Sequence, residues 1–224
     1  MEWTISNIAR LFGTTEQAVG RLVAEAGLPV HVVNDQHRFH RAEVLEWATS
    51  HGQDVAPEAL GELGGASPQR GLADALRRGG LHDDVPGSDR DAVLRAVVER
   101  LPLPAGTDAR FIADVLCAWE GRGSSAVGDG IAIPHIRNPL VLRVREPIVA
   151  LCRLAQPVDF GARDGRPVRI LFTLVSPTVR AHLHVLALLA HALRDPGVRS
   201  LLSGAAGLDE IAGALDRLER GEPA

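Results

Sequence analysis

From Arg70 onward the chain alternates between two hydrophobic periods that cannot belong to the same kind of element, and this limits the fold more than any other feature. GLADALRRGG, SDRDAVLRAVVERL and DARFIADVLCAWEGRG repeat apolar residues at helical spacing and stop at glycine or proline. IAIPH, EPIVALCRLA and PVRILFTLVS are short runs bounded by Gly, Pro or polar residues, which predicts strands. TVRAHLHVLALLAHALRD is the longest amphipathic helix, and VRSLLSG and LDEIAGALDRLERG complete the chain with helical patterns. Elements alternating in this way bury their apolar faces by laying helices on a sheet, so the expectation for 70–224 is an α/β fold with a mixed sheet flanked by helices.

Residues 1–51 follow another plan. Thr4 caps a helix with Ile5, Ile8, Ala9 and Phe12 on one face, and Gly13 ends it. Thr14 or Thr15 caps a second helix carrying Val19, Leu22, Val23 and Ala26, closed by Gly27. LPVHVVNDQHRFH then offers a β-branched run, a polar turn at Asn34 and Asp35, and a second short strand at Arg38 to His40, before the helix RAEVLEWATS. Two helices joined by a tight glycine turn and followed by a hairpin outline a small winged helix-turn-helix. The stretch WTISNIARLFGTTEQAVGRLVAEAGLPVHVVNDQHRFHRAEVLEWA resembles the excisionase or MerR-like DNA-binding domain. That resemblance implies DNA as a partner, read by Thr15, Gln17 and Arg21 in a groove and by Gln36, His37 and Arg38 on the wing.

Charge argues the other way. The segment holds four arginines against six acids, a net −2, and the whole chain is at −4 with no lysine among its 24 basic residues. Phosphate neutralisation wants the opposite sign, so a DNA role must be local, and a domain that keeps the fold but serves a protein target is the competing reading. Residues 52–69, GQDVAPEALGELGGASPQ, are rich in Gly, Ala, Pro and acids and predict a flexible linker, with a loose helical turn at PEALGEL.

No apolar run is long enough for a membrane span, and MEWTISNIAR lacks the basic start and apolar centre of a secretion signal, so a cytoplasmic location is the default expectation. Cys117 and Cys152 stand in apolar contexts without metal-type spacing and read as buried small hydrophobes. No metal and no cofactor is called for by the residues present.

The histidines carry the chemistry. GDGIAIPHIR puts His135 at the end of a strand, where Pro134 fixes one torsion and removes a donor, and strand ends collect ligand sites in open α/β sheets. A strand-end histidine alone is more often structural or merely exposed. His182 and His184 are two apart on the long helix and cannot share a face, whereas His184 and His191 can.

Together, GSSAVGDGIAIPHIR, PVDFGARDGRPVRILFTLVSP and AHLHVLALLAHAL, in that order, resemble the fructose and mannitol type of enzyme IIA of the phosphoenolpyruvate-dependent phosphotransferase system, including its nitrogen-regulatory branch. The resemblance runs over residues 70–220. It implies a phosphocarrier in which His135 accepts a phosphoryl group from HPr or an HPr-like protein, supported by His182, with Ser124, Ser125, Arg122 and Arg137 available to stabilise phosphate. Two departures stand out: family members usually carry arginine near the position of Trp119, in a pattern like REKMGST where this chain reads WEGRGSS, and Ile136 replaces the glycine after the active histidine. Lacking that guanidinium, the site needs Arg122 or Arg137 to reach it. The alternative reading is a transcription regulator or partner-binding module with a degenerate IIA-like domain that is not phosphorylated.

Overall fold

A computed structural model describes residues 3–33, 36–51, 53, 55, 71–135 and 144–223. The predicted turn at Asn34 and Asp35, nearly all of the 52–69 linker, Ile136 and Arg137 lie outside them.

The N-terminal segment has the expected order: α1 (Ile5–Leu11), α2 (Glu16–Ala26), β1 (His31–Val33), β2 (Gln36–Arg38) and α3 (Arg41–Ser50). Thr4 caps α1 in a reciprocal box with Asn7, Thr15 caps α2, and Gly27 ends α2 in the left-handed conformation that glycine adopts without strain. The second strand begins at Gln36, two residues earlier than the pattern suggested. The apolar residue that prompted the later placement, Phe39, is fully buried and pairs its backbone with Trp3.

The C-terminal segment runs α4 (Leu72–Gly79), β3 (Leu81–Val85), α5 (Arg90–Val98), α6 (Ala109–Glu120), β4 (Ala126–Gly128), β5 (Ile131–Ala132), β6 (Ile148–Val158), β7 (Val168–Val175), α7 (Val179–Ala192), α8 (Pro196–Ser203) and α9 (Leu208–Glu219). The sheet order is β3-β6-β7-β5-β4, with β3/β6 and β5/β7 parallel and β6/β7 and β4/β5 antiparallel. It is therefore a mixed sheet. Two strands were not legible beforehand. The edge strand β3, LHDDV, carries two exposed aspartates, and β4 is three residues leading into a glycine turn.

Period-2 alternation divides the core. Val149, Leu151, Phe172 and Leu174 point to the face covered by α4, α7, α8 and α9, while Ile148, Ala150, Cys152 and Leu171 point to the face covered by α5 and α6. Ile131 and Ile133 belong to the first face and Ala132 to the second. The same buried cluster continues into Val44, Leu45, Trp47 and Ala48, because α3 packs on α7 and β4. Gly79 is required at the end of α4, since a Cβ there would lie 2.1 Å from the Val149 carbonyl oxygen.

Candidate functional site

His135 stands two residues beyond Ile133, so the strand's alternation aims it at the face that carries α7. It pairs in parallel with Leu174, the Leu174 N–H donating to the Pro134 carbonyl at 3.3 Å, which extends the sheet just far enough to hold the imidazole. From the other side, Thr178 caps α7 through the Ala181 N–H, and His182 falls on the inner face of its first turns. The two rings approach to 4.9 Å between centroids with 40° between planes. His182 thus stands beside His135, whereas His184 lines a separate cavity with His191 and Glu219.

The two histidines differ in environment. His135 Nδ1 donates to the Ile133 carbonyl at 2.7 Å, and because a carbonyl can only accept, in the neutral ring the proton sits on Nδ1 and the lone pair on Nε2. His182 is 2% exposed, and its Nε2 is buried without a hydrogen-bond partner among the described residues. Burial, then the neighbouring His135, pushes its pKa down to about 3, so His182 is neutral across the physiological range.

A cavity of about 260 Å³ opens beside His135. Ser124, Ser125 and Trp119 line it, as does Glu120, which the sequence reading passed over. The serines are held beside the histidine strand by the Ile133 N–H, which donates to the Ser125 carbonyl at 3.0 Å. Ser124 Oγ accepts from the Ala126 N–H at 3.0 Å. Glu120 is buried, and its Oε1 accepts the Ser125 N–H at 2.7 Å. Burial raises its carboxyl above the usual range, against the lowering pull of that hydrogen bond, Arg90 and His135. The signal for it was present in WEGRGSS, where the acid keeps its place beside the substituted Trp119. A buried acid at the end of a helix is the trait that marks it, and burial is not visible in a single sequence.

Arg122 does not reach the cavity. Its guanidinium stacks on Trp119, 5.1 Å from the ring centroid, so the indole that replaces the family's arginine also engages the nearest substitute. The arginine that lines the cavity is Arg163, from the β6–β7 loop, again unforeseen. Pro29, Glu43, Trp47 and His51 complete the wall from the N-terminal segment. Of the residues suggested for DNA, Thr15, Gln17, Arg21, Gln36 and His37 are exposed and Arg38 is half-buried, bonded to the Gln36 side chain. None of the six lines this cavity. Among the described residues no cluster is suited to a metal ion, and no helix is long and apolar enough to cross a membrane.

The chain is similar to characterised proteins over its C-terminal part. It is 39% identical over 126 residues to the nitrogen regulatory protein of Pseudomonas aeruginosa, covering 54% of this chain and 79% of that one. It is 34% identical over 116 residues to a fructose-specific EIIA component of Haloferax volcanii, covering 51% and 61%. The crystal structure of the nitrogen regulatory protein IIA-Ntr from Neisseria meningitidis superimposes with a TM-score of 0.56 at 26% identity, covering 64% of this chain and 98% of that one. Residues 81–217 match the family of phosphoenolpyruvate-dependent sugar phosphotransferase system EIIA 2 domains, and the chain belongs to that family.

Proposed function

We infer that this protein is a regulatory phosphocarrier in which His135 Nε2 takes a phosphoryl group from the phosphohistidine of an HPr-like protein. The observation that carries the reading is the pairing of His135, its tautomer fixed by the Ile133 carbonyl, with a neutral His182 whose buried Nε2 has no partner among the described residues. In the transfer the Nε2 lone pair attacks phosphorus while the donor's N–P bond breaks and its electron pair returns to the donor ring. The His135 ring gains the positive charge that the donor ring loses, and no proton need move. The Ile133 carbonyl and the Glu120 carboxylate face that charge. The transition state is loose, so positioning and donors to the equatorial oxygens matter most, and His182 with Ser124 and Ser125 can supply them. The phosphorylation state is then read by a regulatory protein target.

Incubation with phosphoenolpyruvate, enzyme I and HPr should put an acid-labile phosphate on the wild type and none on His135→Ala. An unlabelled wild type would move the assignment to a domain that binds partners without phosphate.

A second reading concerns residues 1–51 as a winged helix-turn-helix unit, joined by the 52–69 linker to the IIA domain of 70–224, with DNA as its output. It is favoured by one observation: the candidate residues Thr15, Gln17, Arg21, Gln36 and His37 are exposed and lie away from the cavity that α3 covers. Binding should weaken linearly in log–log terms with salt, and weaken further on Arg21→Ala or Arg38→Ala. Salt-independent or absent binding would point to a protein target.

A further inference from the structure

Phosphoryl transfer to His135 asks for a cation near the three equatorial oxygens. Trp119 cannot supply one, and Arg122 is stacked on that indole. Arg163 lines the same cavity as His135 and is carried by the β6–β7 loop, which is tied to the turn before β5. The Asp129 N–H, in the turn before β5, donates to Asp164 Oδ2 at 2.8 Å, and Arg166 pairs with Asp129 at 2.7 Å. The Arg163 guanidinium is nevertheless engaged elsewhere, donating through Nη1 to Nε2 of His51 at the end of α3. His51 is set up to accept: its Nδ1 donates to the Trp47 carbonyl at 2.7 Å, and its ring stacks on Trp47 at 4.3 Å.

We propose that Arg163 is the phosphoryl-binding guanidinium of this site, and that His51 of the N-terminal segment competes with the phosphoryl group for it. The proposal rests on His135 being the acceptor. An arginine holds a dianionic phosphoryl group through charge-assisted, often bidentate bonds that a neutral imidazole cannot match. A phosphoryl group also brings about −1.5 to −2 charges into a cavity that Glu43 of the same segment lines. Both effects draw α3 away once His135 is loaded. Conversely, Pro29, Trp47 and His51 cover the face of His135 while it is empty. A protein donor needs on the order of 800 Å² of that face, so loading passes through the uncovered form and then traps it.

The test uses the full chain and the enzyme I and HPr donor system. His51→Ala should be phosphorylated about tenfold faster than wild type, the effect of one lost hydrogen bond to a charged group at 1.4 kcal/mol per decade. Arg163→Gln also loosens α3 but should hold the phosphohistidine about tenfold less long, the same single-bond magnitude. Hydrogen exchange across residues 41–50 should rise on phosphorylation of the wild type, and be raised already in unphosphorylated His51→Ala. If the wild type labels but His51→Ala labels no faster and Arg163→Gln keeps its phosphate as long, the proposal is overturned while His135 stands as acceptor. If no variant takes label, His51→Ala included, the acceptor assignment fails and this one with it.

Discussion

The pairing of His135 with a buried, neutral His182 has a stability consequence that can be worked out in advance. His182 is 2% exposed and its pKa is pushed down to about 3 by burial first and by His135 second. In the unfolded chain a histidine titrates near 6.5. Between these values the unfolded state binds a proton that the folded state refuses, so stability is full above pH 6.5 and falls as pH drops toward 3. Integrating from pH 7.5 to 4.5 gives a loss of roughly 3 kcal/mol from this one residue, at a slope approaching 1.4 kcal/mol per pH unit. Because pH 4.5 lies well above the folded value, the loss is set almost wholly by the unfolded one. Urea denaturation of wild type and His182→Leu at pH 7.5, 6.5, 5.5 and 4.5 isolates it, since every other titrating group, His184 included, is common to both. The variant's curve should be shallower by the stated amount. At pH 7.5 it should be at least as stable as wild type, because leucine removes a buried nitrogen that has no partner among the described residues, a cost of about 1–3 kcal/mol. Parallel pH curves would refute the reasoning, since they would mean that His182 charges as easily folded as unfolded.

Three further outcomes follow from the same geometry. Glu120→Gln should fold, since an amide oxygen can still accept the Ser125 N–H, yet slow phosphorylation of His135 by about tenfold through loss of the facing charge, read as the rate of label uptake. Thr178→Ala removes the side-chain cap of α7, so it should cost about 1 kcal/mol in urea unfolding and loosen the first turns that carry His182. Cys152 is fully buried, and burial pushes its thiol up to about 12, so iodoacetamide should leave it unmodified in the native protein and alkylate it once the chain is unfolded in urea.

Much of the architecture could be read from the order of the residues because local physics set it. Thr4, Thr15 and Thr178 cap where the apolar period begins, Gly27 ends α2, and the runs around β6 and β7 are too short and too regular to be anything but strands. The strand-end place of His135 beside Pro134 was legible for the same reason, whereas the roles of His135 and His182 came only from the resemblance to the enzyme IIA family. The strand β3 was not legible, because it belongs to the sheet only through neighbours far away in sequence, Leu151 and Cys152, and β4 was not because its three residues are too few to show an alternating run.

What tertiary structure alone decided is which side chains share space with His135. No spacing rule brings Arg163 from the β6–β7 loop, Glu120 from the end of α6 and His51 from the end of α3 into one cavity. That meeting follows from sheet order and from α3 lying on α7 and β4, both set by long-range burial of apolar surface rather than by local propensity. The same packing sends Arg122, three residues from Trp119, onto the indole and away from the site. The sequence by itself determined the elements and the strand-end place of His135, since these depend on neighbours within a helical turn or a strand. The surroundings that make His135 and His182 unequal, one with its tautomer fixed by a backbone carbonyl and one kept neutral by burial, arise only where distant segments exclude water together.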